Sequence, residues 1–491
     1  MKAVILAAGR GSRLGKITER KPKSLVEVNG KSILEYQLEA LLKNGIKDIT
    51  LCVGYMGEQI EKYCRENFPM VKFSREEAPI NNMLSLYNAK ESLDDDVFIM
   101  NGDVVFDSDV ISKMVASPGS VIAVEKAIHN DESMKVVTND SGNIIDISKK
   151  VHQDSSYGCS IDVYKFTKED AQTIVNEMKR MVEVEKINDV WTEVMLQRLF
   201  EAQRILARPV DINGYKWFEI DDFDDLHKAE LIFNDKINQL RQKTRFLLDR
   251  DGTLLLGDQP LEGSAEFLDF LKDSEKVFHI LSNNSSKTKD QHLQIFLNAG
   301  LKMNKDDIYI STDSLIEHLI RNNIRKIFLV ANKMVSEYFV EQGFIIDSES
   351  PEALILTYDT ELDYDKLRQL SSLLRKDIPY FATHIDLVCP TPNGPIPDIG
   401  SFIKLIEITT GKTPLRTFGK PTKELVNSFS NNHELALVGD RLYTDILLAK
   451  NAGILSVLVL SGETKREDVE FSDIKPDIIV KNIKELLNLI S

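Results

Sequence analysis

A cluster of glycine and basic residues follows the first apolar run of this chain. It reads AAGRGSRL, with Gly9 and Gly11 ahead of Arg13, and KPKSL with Lys23 comes shortly afterwards. Successive backbone N–H groups in a glycine-rich turn between a strand and a helix bind phosphate oxygens, and glycine allows a close approach that a side chain would block. Arg13 and Lys23 add fixed positive charge at the same place. The segment therefore predicts a phosphate-binding site.

A second cluster, LLDRDGTL, places Asp249 and Asp251 two residues apart. Two such residues on an extended segment lie on the same side, so both carboxyl groups can face one ligand. A carboxylate nucleophile splits the hydrolysis of a phosphate monoester into the formation and the breakdown of an aspartyl-phosphate, and a second carboxyl group can protonate the leaving oxygen. The spacing therefore favours phosphate monoester hydrolysis.

Both clusters follow apolar runs that have the length and composition of buried strands. KAVILAA, DITLCVG and DVFIMNGD alternate with amphipathic stretches such as SILEYQLEALLKNG, and the alternation restarts at RFLLDRDG. This order predicts, in each half, a parallel sheet with helices on both faces. Ligands of such sheets bind at the carboxyl ends of the strands, where both clusters lie. We expect an α/β protein with two active sites.

The length of the chain indicates two domains. At 491 residues it exceeds what one hydrophobic core usually organises. The polar, helix-favouring segment DDLHKAELIFNDKINQLRQKTR places the boundary near Leu240, with domains at 1–240 and 241–491. Within the second domain, the stretch 324–414 is a self-contained run of strands and helices, and we interpret it as an inserted cap.

The composition excludes several classes of partner. The chain has 61 Lys plus Arg against 77 Asp plus Glu, a formal net charge of -16, and a field of this sign repels nucleic acid and anionic membranes. No apolar stretch reaches membrane-spanning length. The spacing of the cysteines is not typical of a zinc site; they are Cys52, Cys64, Cys159 and Cys389. We expect a soluble cytoplasmic protein without a nucleic-acid partner, and a homo-oligomer is left open.

The first half, from Met1 to Phe233, resembles nucleotidyltransferases that join a nucleoside triphosphate to a phosphorylated small molecule and release pyrophosphate. The resemblance implies a Rossmann-like fold in which Arg13 and Lys23 hold the triphosphate beside Ala8, Gly9 and Gly11. It also implies that Mg²⁺ is bound by two carboxylates, Asp103 in MNGDVVFD and Asp221 in WFEIDD. The chemistry agrees with this implication, because attack by one phosphate on another requires neutralised negative charge.

The stretch APINNMLSLYNA, from Ala78 to Ala89, bears on the substrate. Sugar-phosphate members of the family commonly carry a Gly-Thr-Ala-Gly-like stretch here, whereas the NNxxSLY pattern resembles phosphocholine and 2-aminoethylphosphonate cytidylyltransferases. The resemblance implies CTP as the nucleotide and a small phosphorylated or phosphonylated amine, such as phosphoethanolamine, as the acceptor. Asn81, Asn82 and Ser85 would line the base and acceptor pocket.

Three aromatic residues, Trp191, Tyr215 and Trp217, are candidates for a cation-π site around the amine of the acceptor. Plain core packing is an equally strong alternative for each of them. Glu193 and Glu219 would supply anionic partners or simply be solvated. The alternative substrate is a polyol phosphate or a sugar 1-phosphate, with the phosphatase acting on a precursor from the same pathway.

The second half, from Arg245 to Ser491, resembles the haloacid dehalogenase superfamily, whose phosphatases use the first Asp of DRDGT as nucleophile and the second as general acid and base. The remaining elements follow in order: Ser282 in HILSNNSS, Lys420 in FGKPTKE, and Asp440 with Asp445 in LVGDRLYTDI. The resemblance implies that Ser282 and Lys420 bind the phosphoryl oxygens. It places Mg²⁺ at the aspartates, of which Asp249, Asp251 and Asp440 are the candidates.

The order of these elements and the long insert resemble the NagD-like branch, in which an α/β cap chooses the substrate. His384 in THIDLVCP and Asp398 in NGPIPDIGS replace the Asn and the Gly-rich turn that are more usual there, so the usual substrate does not carry over. His384 is a specificity residue or a structural histidine. We predict a bifunctional cytidylyltransferase and phosphatase that serves one pathway; the rival hypothesis, that one half is catalytically inactive, conflicts with the complete set of motifs.

Overall fold

The computed structural model describes residues 1–76, 81–127, 133–389, 394–429 and 432–491. The chain forms two compact units, Met1–Asn234 and Asp235–Ser491. Leu240, the predicted boundary, lies in the helix Lys236–Arg241 near the start of the second unit. Both units combine sheets with helices, and the α/β class is confirmed.

The first unit is built on a nine-stranded sheet whose central strand is Lys2–Ala7. This strand pairs in parallel with Asp48–Val53 on one side and Val97–Asn101 on the other, and the sequence KAVILA is apolar on both faces because helices cover both faces. Val121–Glu125 pairs with Gly158–Phe166 and Arg208–Asp211. The other strands of the sheet are Lys72–Arg75, Lys135–Thr138 and Ile144–Ser148.

Most helices of the first unit pack their apolar faces on this sheet, whereas Phe223–Ile232 packs beside the short strands Glu27–Val28 and Trp217–Glu219. In the first of them, Ser32 caps the amino end by accepting a hydrogen bond from the Glu35 backbone at 3.1 Å, and Leu34 and Leu38 are fully buried. The helices are Ile33–Lys43, Gly57–Asn67, Asn82–Asn88, Ser108–Ala116, Lys168–Lys179, Thr192–Glu201 and Phe223–Ile232. Two short antiparallel pairs complete the unit, namely Glu27–Val28 with Lys31–Ser32 and Val104–Phe106 with Trp217–Glu219.

The second unit has a six-stranded parallel sheet at its core. Its central strand, Arg245–Asp249, pairs with Val277–Ser282 and with Leu435–Gly439. The carboxyl ends of these three neighbours therefore carry Asp249, Ser282 and, one residue beyond the third strand, Asp440. The remaining strands are Ile308–Ile310, Leu455–Val459 and Ile478–Val480.

The chain between the third and fourth core strands forms a separate five-stranded parallel sheet. We call this inserted segment the cap. It runs from Lys326 to Thr417, and its strands are Lys326–Val330, Ile345–Ile346, Ala353–Leu356, Tyr380–Ala382 and Arg416–Thr417. Short pairs join Leu255–Leu256 with Gln259–Pro260 and Val388–Cys389 with Ile396–Pro397. Beyond Lys236–Arg241, the helices are Ser264–Asp273, Lys289–Asn298, Ser311–Arg321, Lys333–Glu341, Tyr364–Leu373, Ile399–Thr410, Leu447–Ala452, Arg466–Phe471 and Ile483–Ile490.

Two general features of the described residues bear on the sequence predictions. None of their helices is both long enough and apolar enough to cross a membrane. None of the four cysteines, all of them among the described residues, forms a disulfide, and three of them, Cys52, Cys64 and Cys159, are buried.

Candidate active sites

The glycine-rich turn of the first unit follows the central strand Lys2–Ala7. Gly11 has a backbone φ of 61°, in the left-handed region that favours glycine, and a Cβ there would lie 2.9 Å from the Cβ of Lys23. The close approach of Lys23 to this turn therefore requires glycine at position 11. Gly9 and Ala8 line the adjoining cavity.

Lys23 connects the two carboxylates predicted to bind metal. Its side chain is largely buried, and its Nζ lies 2.9 Å from Asp103 Oδ2 and 2.8 Å from Asp221 Oδ1. Arg13 Nη1 is 2.9 Å from the other oxygen of Asp221. Burial by itself would lower the pKa of Lys23, but Asp103 and Asp221 outweigh it and raise this pKa above its ordinary value. The predicted residues Arg13, Lys23, Asp103 and Asp221 thus form one group.

This group also contains Glu219, which the sequence analysis treated as a partner of the acceptor. Ligand oxygens of Asp103, Glu219 and Asp221 all lie within 4.8 Å of one another. Burial, followed by repulsion from Asp103 and Asp221, raises the pKa of Glu219 to about 7. Asp103 Oδ1 is buried and has no hydrogen-bond partner among the described residues. Clustered carboxylates with an unsatisfied oxygen fit a hard divalent cation such as Mg²⁺.

A cavity of about 330 Å³ adjoins the carboxylates. The predicted residues Asn81, Asn82, Ser85 and Trp191 line it, together with Glu193 and Glu219. Residues 78–80, which begin the stretch APINNMLSLYNA, lie outside the described residues. Most of the predicted nucleotide and acceptor residues are therefore brought to one cavity.

The structure does not bring the three candidate aromatic residues together, because neither Tyr215 nor Trp217 lines this cavity. Both rings pack against the apolar core beside the sheet. The Trp217 indole N–H points to Glu125 Oε2, 3.4 Å away, and Lys113 Nζ lies 5.0 Å from the centre of the Tyr215 ring. For these two residues the core-packing alternative holds, and Trp191 is left as the aromatic wall.

Asp162 contributes a carboxyl group that the sequence analysis missed. It lies at an irregularity of the strand Gly158–Phe166, where the pairing register shifts, and its φ of 57° is left-handed. A bulge of this kind redirects a side chain, and here it brings Asp162 to the cavity wall. Its Oδ2 accepts a hydrogen bond from Asn101 Nδ2 at 2.9 Å.

The hydroxyl of Tyr164 lies between two carboxyl groups. It is 2.9 Å from Asp162 Oδ1 and 2.8 Å from Glu193 Oε1. A phenol has one proton to donate, so the second of these short contacts requires a proton on a carboxyl group. Burial, supplemented by mutual repulsion, raises the pKa of Asp162, and burial raises that of Glu193. The wall of the cavity therefore has more carboxyl groups than the cationic side chains of the wall can neutralise.

The second site centres on Asp249 and Lys420, both buried. Lys420 Nζ forms a short ion pair with Asp249 Oδ1 and lies 2.6 Å from Asp445 Oδ1. Burial raises the pKa of Asp249 to about 7, with Lys420 opposing and Asp445 and Asp251 reinforcing the change. Asp445, which the sequence analysis named without a role, thus positions the lysine.

The metal-binding prediction needs one correction at this site. The carboxylates that lie within 4.8 Å of one another are Asp249, Asp440 and Asp445, so the side chain of Asp251 is not part of the group. Asp251 instead contacts Arg250 Nη1 at 3.3 Å. Asp440 Oδ1 is buried and lacks a hydrogen-bond partner among the described residues. This arrangement also fits a hard divalent cation.

A cavity of about 20 Å³ adjoins this group, lined by both core and cap residues. From the predicted set it brings together Asp249, Asp251, Ser282 and Lys420. The chemistry available is that of a carboxylate beside a fixed ammonium group and a second carboxyl group. This combination suits attack on a phosphoryl group.

Comparisons with known proteins identify the families of both halves of the chain. The family described as Nucleotidyl transferase matches residues 2–236. The Haloacid dehalogenase-like hydrolase family matches residues 246–345, and a related HAD-hydrolase-like family matches residues 417–486. The crystal structure of a 4-nitrophenylphosphatase from Thermotoga maritima is 39% identical, with a TM-score of 0.50, and the match covers 52% of this chain and 99% of that one.

The chain joins a nucleotidyl transferase to a haloacid dehalogenase-like phosphatase. Curated relatives of the phosphatase domain include the 5'-nucleotidase YutF of Bacillus subtilis, 24% identical over 246 residues (49% of this chain and 96% of that protein). An acid sugar phosphatase of Staphylococcus aureus is 23% identical over 255 residues (50% and 98%). The predicted combination of a nucleotidyltransferase with a phosphatase is confirmed.

The phosphatase domain contains a polar network that the sequence analysis missed. Asp386 of the cap accepts hydrogen bonds from Asn283 Nδ2 at 3.0 Å and from Arg441 Nη1 at 2.9 Å. All three residues line the phosphatase cavity. The signal was present in the sequence, because each of them lies inside a motif already noted: LSNNSS, THID and GDRLYTD. The network joins the cap to the core at the active site.

Proposed function

We propose that the transferase domain transfers a cytidylyl group from CTP to a small phosphorylated or phosphonylated amine and releases pyrophosphate. The phosphatase domain hydrolyses a phosphate monoester of the same pathway, and both reactions take place in the cytoplasm. The observation that carries the choice of acceptor is the acidic wall of the transferase cavity. CTP is supported by the resemblance of NNxxSLY to cytidylyltransferases.

At the transferase site, we assign the carboxylates of Asp103, Glu219 and Asp221 to Mg²⁺, which when bound would neutralise the triphosphate. The turn at Gly9 and Gly11 presents backbone N–H groups to phosphate oxygens. Lys23 carries its positive charge to the same place, because Asp103 and Asp221 keep it protonated. These groups hold the triphosphate for in-line attack by the acceptor.

The acceptor is assigned from charge. Asp162 and Glu193 face the cavity and are not among the carboxylates assigned to Mg²⁺, and among the described lining residues the cavity has one lysine, Lys149. Buried carboxylates that lack a cation are unfavourable, and an ammonium group on the acceptor would relieve this. Trp191 is 46% exposed and has Lys149 Nζ 4.9 Å from its ring centre, so an ammonium group on the acceptor would take the place of this lysine over the ring. A neutral polyol or sugar would leave the acidic wall without a counter-ion.

The acceptor proposal predicts a ranking of substrates. Phosphocholine, phosphoethanolamine or 2-aminoethylphosphonate should exceed glycerol phosphates and hexose 1-phosphates by roughly fivefold in kcat/KM, since a cation-π contact with an exposed ring gains about 1 kcal/mol. Pyrophosphate release with CTP, UTP, GTP and ATP measures acceptor and nucleotide choice together. Trp191→Leu and Glu193→Gln should erode the preference for amines, mainly through KM.

Two controls separate this effect from general damage. Trp217→Phe changes the aromatic that lies outside the cavity, and Glu201→Gln changes an exposed residue on the helix that carries Glu193. Both controls should keep the ranking. Equal or better use of a neutral polyol phosphate by the unaltered enzyme would contradict the proposal and favour the polyol or sugar alternative.

At the phosphatase site, we assign Asp249 as the nucleophile that attacks phosphorus and Asp251 as the acid that protonates the leaving alcohol. Asp251 then deprotonates the water that hydrolyses the aspartyl-phosphate. Ser282 and Lys420 bind the phosphoryl oxygens, and Asp445 holds Lys420 in place at 2.6 Å. We assign Mg²⁺ to Asp249, Asp440 and Asp445, where it would neutralise the phosphoryl charge.

Replacing Asp440 should weaken magnesium binding at the phosphatase site and leave the transferase site unchanged. We expect Asp440→Asn to raise the Mg²⁺ concentration needed for half-maximal phosphatase activity at least about tenfold, because a hard cation loses an anionic ligand. The Mg²⁺-dependent rise in Tm of the phosphatase domain should shrink in parallel. The exposed Asp258→Asn serves as control, and an unchanged Mg²⁺ requirement would refute the assignment.

A further inference from the structure

His384 and Asp398, the two cap residues that depart from the usual pattern, form a buried pair. His384 Nε2 lies 3.1 Å from Asp398 Oδ1, and both residues are shielded from solvent. Asp398 also caps the helix Ile399–Thr410, accepting a hydrogen bond from the Ile399 N–H at 2.6 Å. It lines the phosphatase cavity together with Asp249, Asp251 and Lys420.

The direction of the hydrogen bonds fixes the histidine tautomer. The Tyr358 N–H donates to Ser285 Oγ at 2.9 Å, and Ser285 Oγ is 2.8 Å from Thr383 Oγ1. Thr383 Oγ1 is in turn 3.1 Å from His384 Nδ1. Every donor finds an acceptor if Ser285 donates to Thr383 and Thr383 donates to Nδ1. His384 then donates its Nε2–H to Asp398.

Asp398 differs electrostatically from the other carboxylates of this cavity. Asp249 pairs with Lys420, Asp386 pairs with Arg441, and Asp251 contacts Arg250. Among the described residues, Asp398 has no Lys or Arg partner and is held by the His384 imidazole and a backbone N–H. An ionised carboxylate accepts hydrogen bonds in about four lone-pair directions, so it retains capacity for a donor on a ligand.

The cluster of His384, Asp386 and Asp398 is close enough to hold a metal ion, but its hydrogen bonds point elsewhere. Both ring nitrogens of His384 are engaged, one with Thr383 and one with Asp398. Asp386 accepts from Asn283 and Arg441. A site whose histidine donates its N–H to the neighbouring carboxylate presents that carboxylate to a hydrogen-bond donor.

We propose that Asp398 determines the specificity of the phosphatase and that His384 positions it. The substrate class is the phosphate monoester of a small alcohol that carries a hydroxyl or ammonium donor near the ester oxygen. This inference rests on the phosphatase function proposed above. A leaving group without such a donor, such as 4-nitrophenol, would leave Asp398 desolvated and unpaired.

The test compares three substrates: glycerol phosphate, phosphoethanolamine and 4-nitrophenyl phosphate. In Asp398→Asn and Asp398→Gly, kcat/KM for the donor-bearing substrates should fall about tenfold or more relative to 4-nitrophenyl phosphate, since a hydrogen bond to a charged group is lost. Asn and Gly both serve as helix N-caps, so the fold is retained. Glycerol phosphate and phosphoethanolamine distinguish a hydroxyl from an ammonium donor.

His384→Gln and His384→Ala test the positioning role. Gln retains an N–H donor for Asp398, so it should keep more of the substrate preference than Ala, and the loss in Ala should appear in KM for the donor-bearing substrates. If His384 had only a structural role, its replacement would lower kcat/KM equally for all three substrates. A substrate preference that is kept in His384→Gln and lost in His384→Ala would support the positioning role of His384.

A matched control is Asp363→Asn, which alters the equivalent cap of the helix Tyr364–Leu373 by changing the acceptor of the Lys366 N–H, 2.8 Å away. Its substrate ratios should be unchanged. The inference would be overturned if Asp398→Asn kept the kcat/KM ratio of donor-bearing substrates to 4-nitrophenyl phosphate, including through an equal loss of kcat/KM on all three substrates. Failure of the unaltered enzyme to hydrolyse any monoester would instead refute the proposed phosphatase function.

Discussion

Replacing Asp249 by Asn is expected to lower phosphatase turnover at least about a thousandfold while pyrophosphate release continues at its normal rate. The amide has the shape of the carboxylate but cannot form the aspartyl-phosphate. Lys420 keeps Asp445 as a partner at 2.6 Å, so the buried lysine is not left unpaired. Phosphate release from a monoester and pyrophosphate release from CTP with an amine acceptor measure the two activities on one sample.

The control for this variant is Asp258→Asn, which changes a 69% exposed side chain of the same domain. It should leave both activities intact. If folded Asp249→Asn protein lost pyrophosphate release as well, the two sites would not be independent. If it retained phosphatase turnover, another nucleophile would have to be sought.

Replacing Lys23 by Met is expected to have the opposite effect. Nucleotidyl transfer should fall about a hundredfold or more, because the charge that stabilises the transferring phosphoryl group is gone, whereas phosphatase activity should persist. Asp103 and Asp221 would lose their common partner, so the free protein should also melt at a lower temperature. Pyrophosphate release at saturating CTP and Mg²⁺ separates the catalytic loss from the loss of stability.

Lys21→Met is the matched control, since Lys21 lies two residues away and pairs with Glu27 at 3.5 Å. It should retain normal transfer. Loss of phosphatase activity in folded Lys23→Met, or undiminished pyrophosphate release, would contradict the role assigned to Lys23.

Much of both sites could be predicted because strand order follows from simple rules. Asp249 and Ser282 end adjacent parallel strands, and Asp440 directly follows a third. Apolar runs that stop at a polar residue identify these positions in the sequence, and the carboxyl ends of neighbouring strands meet at one edge. The glycine-rich turn and Lys23 follow the same rule in the first domain.

The remaining features depend on geometry that a residue pattern does not contain. Asp162 reaches the cavity only because its strand bulges, and nothing in GCSIDVYKF marks the left-handed residue. Trp217 and Glu219 lie on the same short strand, yet only Glu219 lines the cavity. Asp445 rather than Asp251 joins the metal group because a turn after the strand folds its carboxylate back beside Lys420.

The small phosphatase cavity has a kinetic consequence. Its volume of about 20 Å³ admits little more than one water, whereas a phosphate monoester is several times larger. We therefore expect the cap and core walls of the cavity to move apart when a substrate enters and when an alcohol leaves. Opening of this kind occurs on the microsecond to millisecond timescale. The rate of turnover can thus depend on how fast the hydrogen bonds of Asp386 to Asn283 and Arg441 break, as well as on the chemistry at Asp249.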